Sequence, residues 1–170
     1  MPDVVSKKVR SRMMAGIGSK HTKPEVALRK LLHRAGFRFR LHRSDLPGRP
    51  DLVMAKHATA IFVHGCFWHR HTGCRFCYVP ASNQEFWRAK FSANMDRDSA
   101  SEQALMRNGW RVVVVWECAT REERTNPGRL LDRFSRWLRS GRRRGYIGAR
   151  VRKHSARPST TKRNKNRPDH

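Results

Sequence analysis

The sequence predicts an α/β fold, a mixed sheet with helices on both faces. Three observations predict it. Apolar residues recur at helical spacing in separated segments, short apolar runs suited to strands lie between them, and Gly, Pro and Asn mark each change of period. With 170 residues, the chain can build one domain with a real core and is too short for two comfortable ones.

The elements follow in order. Residues 1–21 are basic (Lys7, Lys8, Arg10, Arg12, Lys20), lack periodicity and read as an arm. Thr22-Lys23-Pro24-Glu25 has capping-box form. Leu28, Leu31, Leu32 and Ala35 follow at helical spacing until Gly36, which predicts a helix over 23–35. Phe37-Arg38-Phe39-Arg40-Leu41 alternates with period two, as a strand with one buried face does. Leu46-Pro47-Gly48-Arg49-Pro50 is a turn, Asp51-Leu52-Val53-Met54 starts the next strand, and Thr59–Val63 is an apolar strand after Lys56-His57. The last two strands form a hairpin that delivers Asp51 and His64 to one end of the sheet. An irregular segment, 64–81, comes next. Ser82 and Glu85 can cap a long helix over 83–107, closed by Asn108-Gly109. Within Trp110–Glu117, the run Val112–Val115 suits a strand buried on both faces. Asn126-Pro127 opens a final helix with Leu130, Leu131, Phe134, Trp137 and Leu138 on one stripe. Beyond Gly141 the chain is rich in Arg, Lys, Ser and Pro without periodicity, which predicts a disordered tail. The organisation expected is therefore a basic arm (1–21), a folded domain (22–141) and a basic tail (142–170).

Charge narrows the function. There are 38 Lys and Arg against 13 Asp and Glu, a net charge of +25. So large a charge repels itself in a compact fold and calls for a polyanionic partner, nucleic acid first. Residues 142–170 hold only 11 of the basic residues, so the domain is basic in its own right. No apolar run approaches the roughly 20 residues of a membrane span, and no signal-peptide core is present. A cytoplasmic chain without a membrane partner is the expectation. In that reducing compartment Cys66, Cys74, Cys77 and Cys118 serve better as ligands than as disulfides.

The chemistry concentrates in Ile61-Phe62-Val63-His64-Gly65-Cys66-Phe67-Trp68-His69-Arg70-His71, read with Pro50-Asp51. His, Cys and Asp are costly to bury unpaired, and Phe and Trp are costly to expose, so a plain core does not want this mixture. Asp51 is either a turn residue or a ligand for a hard divalent ion. Cys66, His71, Cys74 and Cys118 make an accepted set for structural zinc. Cys77 could replace His71 in that set, as could His69, and four free cysteines are the plain alternative. Zinc would clamp a loop otherwise too long to stand alone. His64 and His69 suit proton transfer or phosphate stabilisation. Adjacent aromatics in a basic protein can wedge between base pairs, and Phe67 and Trp68 fit that use better than core packing. For Phe86 core packing is the better reading, and Trp87 suits either. Glu25 need be no more than the capping partner of Thr22. Asp96 and Asp98 read as solvated helix surface unless context lifts one of them.

These segments together resemble a known family. Leu46-Pro-Gly-Arg-Pro-Asp51, Ile61-Phe-Val-His-Gly-Cys-Phe-Trp-His69, Glu85-Phe-Trp87, Asn94-Met-Asp-Arg-Asp98 and Gly109-Trp-Arg-Val-Val-Val-Val-Trp-Glu-Cys118 look like the very short patch repair (Vsr) DNA mismatch endonucleases, as does Arg10-Ser11 to Met14. The resemblance covers about residues 3–140. It implies a restriction-endonuclease-like fold and an Mg²⁺-dependent nick 5′ to the thymine of a T:G mismatch, the lesion left by deamination of 5-methylcytosine. It further implies Mg²⁺ on Asp51 and the Val63 main-chain carbonyl, and His69 as general base, with Glu25, His64 and Asp98 in support. Zinc would sit on Cys66, His71, Cys74 and Cys118, and Phe67, Trp68, Trp87 and Met14 would intercalate. The expected partner is double-stranded DNA with a T:G mismatch, bound by a monomer at the bacterial nucleoid, with other mismatch-repair proteins as further candidates. Val63 stands where some members have threonine, which is harmless if only its carbonyl acts. Two alternatives remain on the sequence alone: a zinc-containing DNA-binding module without catalysis, and a restriction-type enzyme cutting both strands.

Overall fold

The structure is a computed structural model that describes residues 20–149. Most of the basic arm, Met14 included, and the chain from 150 onward lie outside the described residues.

Helix α1 (Lys23–Arg34) begins at a formed capping box: the Glu25 amide donates to the Thr22 hydroxyl and the Thr22 amide donates to the Glu25 carboxylate. Five strands follow, β1 (Arg40–Leu41), β2 (Leu52–Met54), β3 (Thr59–His64), β4 (Arg111–Trp116) and β5 (Arg144–Ile147), in spatial order β1-β2-β3-β4-β5. The first three run antiparallel, and β3, β4 and β5 are parallel. Helix α2 (Gln84–Arg107) carries the crossover from β3 to β4, while α3 (Glu117–Thr125) and α4 (Arg129–Arg139) carry the one from β4 to β5. The expected mixed sheet flanked by helices is present.

Val112 to Val115 are fully buried, each worth about 1.5–3 kcal/mol relative to exposure. Their side chains alternate between two cores. Val113 and Val115 join Ile61, Leu28, Leu32, Leu130 and Phe134 on one face. Val112, Val114 and Trp116 join Ala60, Phe62, Leu105, Cys66 and Cys118 on the other. His64 is register-paired with Trp116 at the carboxyl end of this second face, which α2 covers.

Four expectations need correction. The strand over 37–41 shrinks to Arg40–Leu41, because the Phe37 amide closes the end of α1 on Leu32 and its ring packs against Phe134 at 5.7 Å. Helix α3 went unseen: its buried residues are only Cys118, Ala119 and Thr120, too little for an apolar stripe. The final helix starts at Arg129, because the Glu123 carboxylate takes the amides of Gly128 and Leu130 at 2.5 and 2.7 Å. Finally, the domain does not stop at 141, since β5 lies in what the composition reads as tail. A shared buried partner explains its order. The Arg144 guanidinium and Tyr146 hydroxyl meet the buried carboxylate of Glu102 on α2 at 2.6 and 2.9 Å. Burial and the contact with Glu102 push the Tyr146 phenol up to about 12. Among the described residues no helix is long and apolar enough to cross a membrane.

Removing that carboxylate leaves a guanidinium and a phenol without their shared partner, at a cost of about 1–3 kcal/mol. Glu102→Ala is expected to lower the melting temperature by several degrees in a thermal melt, and a chain ending at Gly141 to lose more.

Candidate active site

The last cross-strand pair of β2 and β3 is Leu52 with Ile61. One step beyond, the Asp51 carboxylate replaces the missing main-chain partner by accepting the Val63 amide at 2.7 Å. In a strand, the N–H and C=O of one residue leave on the same edge, so the Val63 carbonyl faces the same side as Asp51. The two oxygen donors expected to hold a hard cation are therefore neighbours. Burial pushes the Asp51 carboxyl up to about 6, although the Val63 amide and the positive charges of Arg29 and His69 pull it down. A carboxylate so reluctant to ionise gains from a divalent cation beside it.

His64 and His69 stack at 3.9 Å with their planes 9° apart. His69 Nδ1 lies 2.6 Å from Asp98 Oδ2, and His64 Nδ1 lies 4.0 Å from the same atom. Burial pushes His64 down to about 3, so it stays neutral. Asp98 fixes His69 by accepting from Nδ1, which leaves Nε2 as the basic nitrogen. Asp98 reaches this place on a stripe of α2 that includes buried Trp87, Phe91, Asn94, Glu102 and Leu105. Asp96, two residues earlier, is exposed. Asn94 ties the loop to the helix by donating to the Trp68 carbonyl at 3.0 Å.

The segment after β3 runs through successive turns, with His69 closing on Gly65, His71 on Cys66, Cys74 on His71 and Cys77 on Cys74. Arg70, at φ 57°, separates two histidines that go to different places. His71 joins Cys66, Cys74 and Cys118, whose donor atoms all lie within 4.8 Å of one another. Cys118 Sγ and Cys66 Sγ are 3.3 and 3.6 Å from His71 Nδ1, close to the tetrahedral edges of about 3.5–3.8 Å that bonds of 2.0–2.3 Å produce. Hydrogen bonds from the Cys66 thiol, His71 and the Ala149 amide favour the Cys118 thiolate against its burial. These four residues can hold a metal ion, and Cys77 stands outside the set. The cluster also shows what the sequence concealed. His71 stacks on Trp116 at 4.4 Å, and a Cβ on Gly148 would run into the His71 ring. Gly148 and Ala149, placed in the tail by composition, close the cluster.

Glu25 is not brought into the His64–His69–Asp98 group. It is buried and paired with Arg29 and His42, whose backbone amide donates to the Asp51 carbonyl at 3.3 Å. Arg29, at i+4 from Glu25, was the available signal for this support. Among the aromatics, Phe67 and Trp68 are half-buried at the rim, with ring centroids 5.0 Å apart. Phe86 departs from its expected core place, and Trp87 takes the inward one of its two. Trp87 is buried against Phe67 and Phe91, so it backs the rim, while Phe86 is 58% exposed. The helix explains this, because consecutive residues diverge by about 100° and Trp87 shares the inward stripe with Phe91 and Asn94.

Comparison with known proteins places the sequence in a family. The sequence profile of the family described as DNA mismatch endonuclease Vsr matches residues 2–75. The type II nicking enzyme V.XorIIP of Xanthomonas oryzae pv. oryzae is 51% identical over 69% of this chain and 86% of its own length. The DNA mismatch endonuclease Vsr of Escherichia coli is 42% identical over 81% of this chain and 88% of its own. The chain belongs to the Vsr family of DNA mismatch endonucleases. The type II nicking enzyme V.NmeAIP of Neisseria meningitidis is 41% identical over 82% of this chain and 96% of its own. Among solved structures, the Homing Endonuclease I-Bth0305I Catalytic Domain aligns with 70% of this chain and 92% of its own, at a TM-score of 0.43 and 18% identity. In this Vsr-family chain, the matched segment carries Asp51, His64, Cys66, His69, His71 and Cys74, and folding adds Asp98 and Cys118. Endonuclease activity follows from membership.

The raised Asp51 value makes a stability prediction. Its folded form holds a proton up to about pH 6, whereas the unfolded group releases it near 3.8. Stability from this group is therefore present at pH 4 and lost as pH rises toward 6. Without added divalent cation, Asp51→Asn should be more stable than the parent at pH 7.5 by up to about 3 kcal/mol, read from chemical denaturation, and match it near pH 4.

Proposed function

We propose that the protein nicks one strand of duplex DNA on the 5′ side of the thymine in a T:G mismatch, opening it for very short patch repair. The observation that carries this reading is the His69–Asp98 pair, 2.6 Å apart and stacked on His64, beside Asp51 and an aromatic rim.

Asp51 and the Val63 carbonyl would hold Mg²⁺, which when bound supplies Lewis-acid polarisation of the phosphate. His69 takes the proton of the attacking water at Nε2, and Asp98 holds its ring in the needed tautomer and offsets the imidazolium charge as it forms. His64 stays neutral, walls the site with Phe62 and Trp116 and keeps His69 in plane. Glu25 acts from behind, through the position of Arg29 and His42 beside Asp51. Cys66, His71, Cys74 and Cys118 would hold a structural zinc ion that pins the loop carrying His69. Phe67 and Trp68 enter the base stack with Trp87 as their support and Met14 arriving with the arm. The excess of basic residues adds salt-sensitive affinity that does not depend on sequence. A single catalytic group among the described residues suits cutting one strand, as a monomer in the bacterial cytoplasm.

With Mg²⁺, a T:G duplex should show one nick, and a matched duplex of the same sequence should stay intact, on a denaturing gel. Asp51→Ala should abolish the nick, and His69→Ala should slow it by about 10²–10⁴-fold. An Asp51→Ala protein as active as the parent would refute the assignment. Metal analysis should find one zinc per chain, and Cys118→Ser should lose it.

A further inference from the structure

Tyr78 and Phe86 are large aromatics that the site described above does not use. They are 62% and 58% exposed, large rings turned to solvent on either side of the polar run Ser82–Glu85. Each ends a continuous row of rings. Tyr78 leans on Phe67 at 4.9 Å, Phe67 meets Trp87 at 5.3 Å, and Trp87 meets Phe86 at 5.4 Å. Phe91 lies under the middle of the row, 5.2 Å from Phe67 and 5.5 Å from Trp87. The inner ring, Trp87, is buried and the two outer rings face solvent.

The outer rings are fixed in place. The Arg70 guanidinium donates to the Tyr78 carbonyl at 2.8 Å while lying 4.5 Å from the Phe91 centroid, so it holds the backbone of Tyr78 to the base of the row. Phe86 stands on the first turn of α2, whose next turn carries exposed Arg88 and Lys90. Preformed aromatic faces beside cations are what an unstacked nucleobase and its backbone require. The ring supplies stacking that tolerates any base, and the cations neutralise phosphate. The chain's net charge of +25 favours a polyanion over a protein or lipid partner on so small an apolar area.

We infer that Tyr78 and Phe86 are stacking platforms for nucleobases displaced beside the mismatch, the two ends of a ring row from which Phe67 enters the duplex while buried Trp87 backs it. The inference rests on the mismatch reading above and adds two specificity-determining residues to it. Their contribution exists only where the duplex is opened. They therefore favour mismatched over matched DNA, whereas the arginines favour both.

Binding tests this without cleavage. Labelled T:G and matched duplexes of one sequence are titrated with Asp51→Asn protein, alone and combined with Tyr78→Ala, Tyr78→Leu, Tyr78→Phe or Phe86→Ala. Tyr78→Ala and Phe86→Ala should each weaken T:G binding by about 10-fold or more and matched binding by no more than about 2-fold. Tyr78→Phe should stay near the parent. Tyr78→Leu, apolar but without a flat π face, should resemble Tyr78→Ala. Unchanged T:G affinity, or equal weakening on both duplexes, overturns the inference. So does a lower melting temperature of the free Tyr78→Ala protein with unaltered affinity, which would mean that the ring packs on the protein itself. A parent that binds both duplexes equally refutes the mismatch reading, and the platforms with it. A discriminating parent indifferent to Tyr78→Ala and Phe86→Ala refutes the platforms alone.

Discussion

The site depends on one hydrogen bond, from the Val63 amide to the Asp51 carboxylate. It stands where the antiparallel ladder of β2 and β3 has run out of main-chain partners, so a side chain completes the sheet. That substitution keeps a carboxylate at a strand end where its burial is unfavourable, and directs it along the same edge as a main-chain carbonyl. The adjoining parallel strand then carries His64 forward to Trp116. Antiparallel pairing on one side of β3 and parallel pairing on the other thus bring an acid and an imidazole to one end of the sheet. Neither pairing alone would do so.

Helix α2 does the remaining positioning. A stripe with Trp87, Phe91, Asn94, Asp98, Glu102 and Leu105 is a poor amphipathic pattern because half of it is polar. Each polar member has a defined partner: Asn94 the loop carbonyl at Trp68, Asp98 the His69 ring, and Glu102 the edge strand. Buried polar groups cost stability unless satisfied, and here their partners lie on two distant parts of the chain, the loop after β3 and the final strand. The helix consequently registers loop, site and final strand against one another. Trp116 serves similarly between the two clusters, with His71 stacked on its face and His64 at its edge, 5.6 Å away.

Much of this was legible in the residues. Valine runs, the capping box and the Gly, Pro and Asn punctuation locate most elements, and short spacings bring Cys66, His71 and Cys74 together. Asp98 was legible only through the family resemblance, because a single acid on a helix looks like solvated surface until His69 is folded against it. The core reading of Phe86 fails and that of Trp87 stayed open because adjacency in sequence says nothing about which face of a helix turns inward. The strand Arg144–Ile147 was hidden by its flanking arginines, one of which is neutralised by a glutamate 42 residues earlier. Composition cannot report a pairing that distant.

The closing of the cysteine cluster by the Ala149 amide has a consequence for biosynthesis. Its donors span Cys66 to Cys118, and the hydrogen bond to Cys118 comes from 31 residues further on. A chain emerging from the ribosome can gather three donors early, the fourth after β4, and the last hydrogen bond only when nearly all of the folded part is out. That last bond therefore reports that translation has passed the final strand, so a prematurely terminated product lacks the seal over the loop that bears His69.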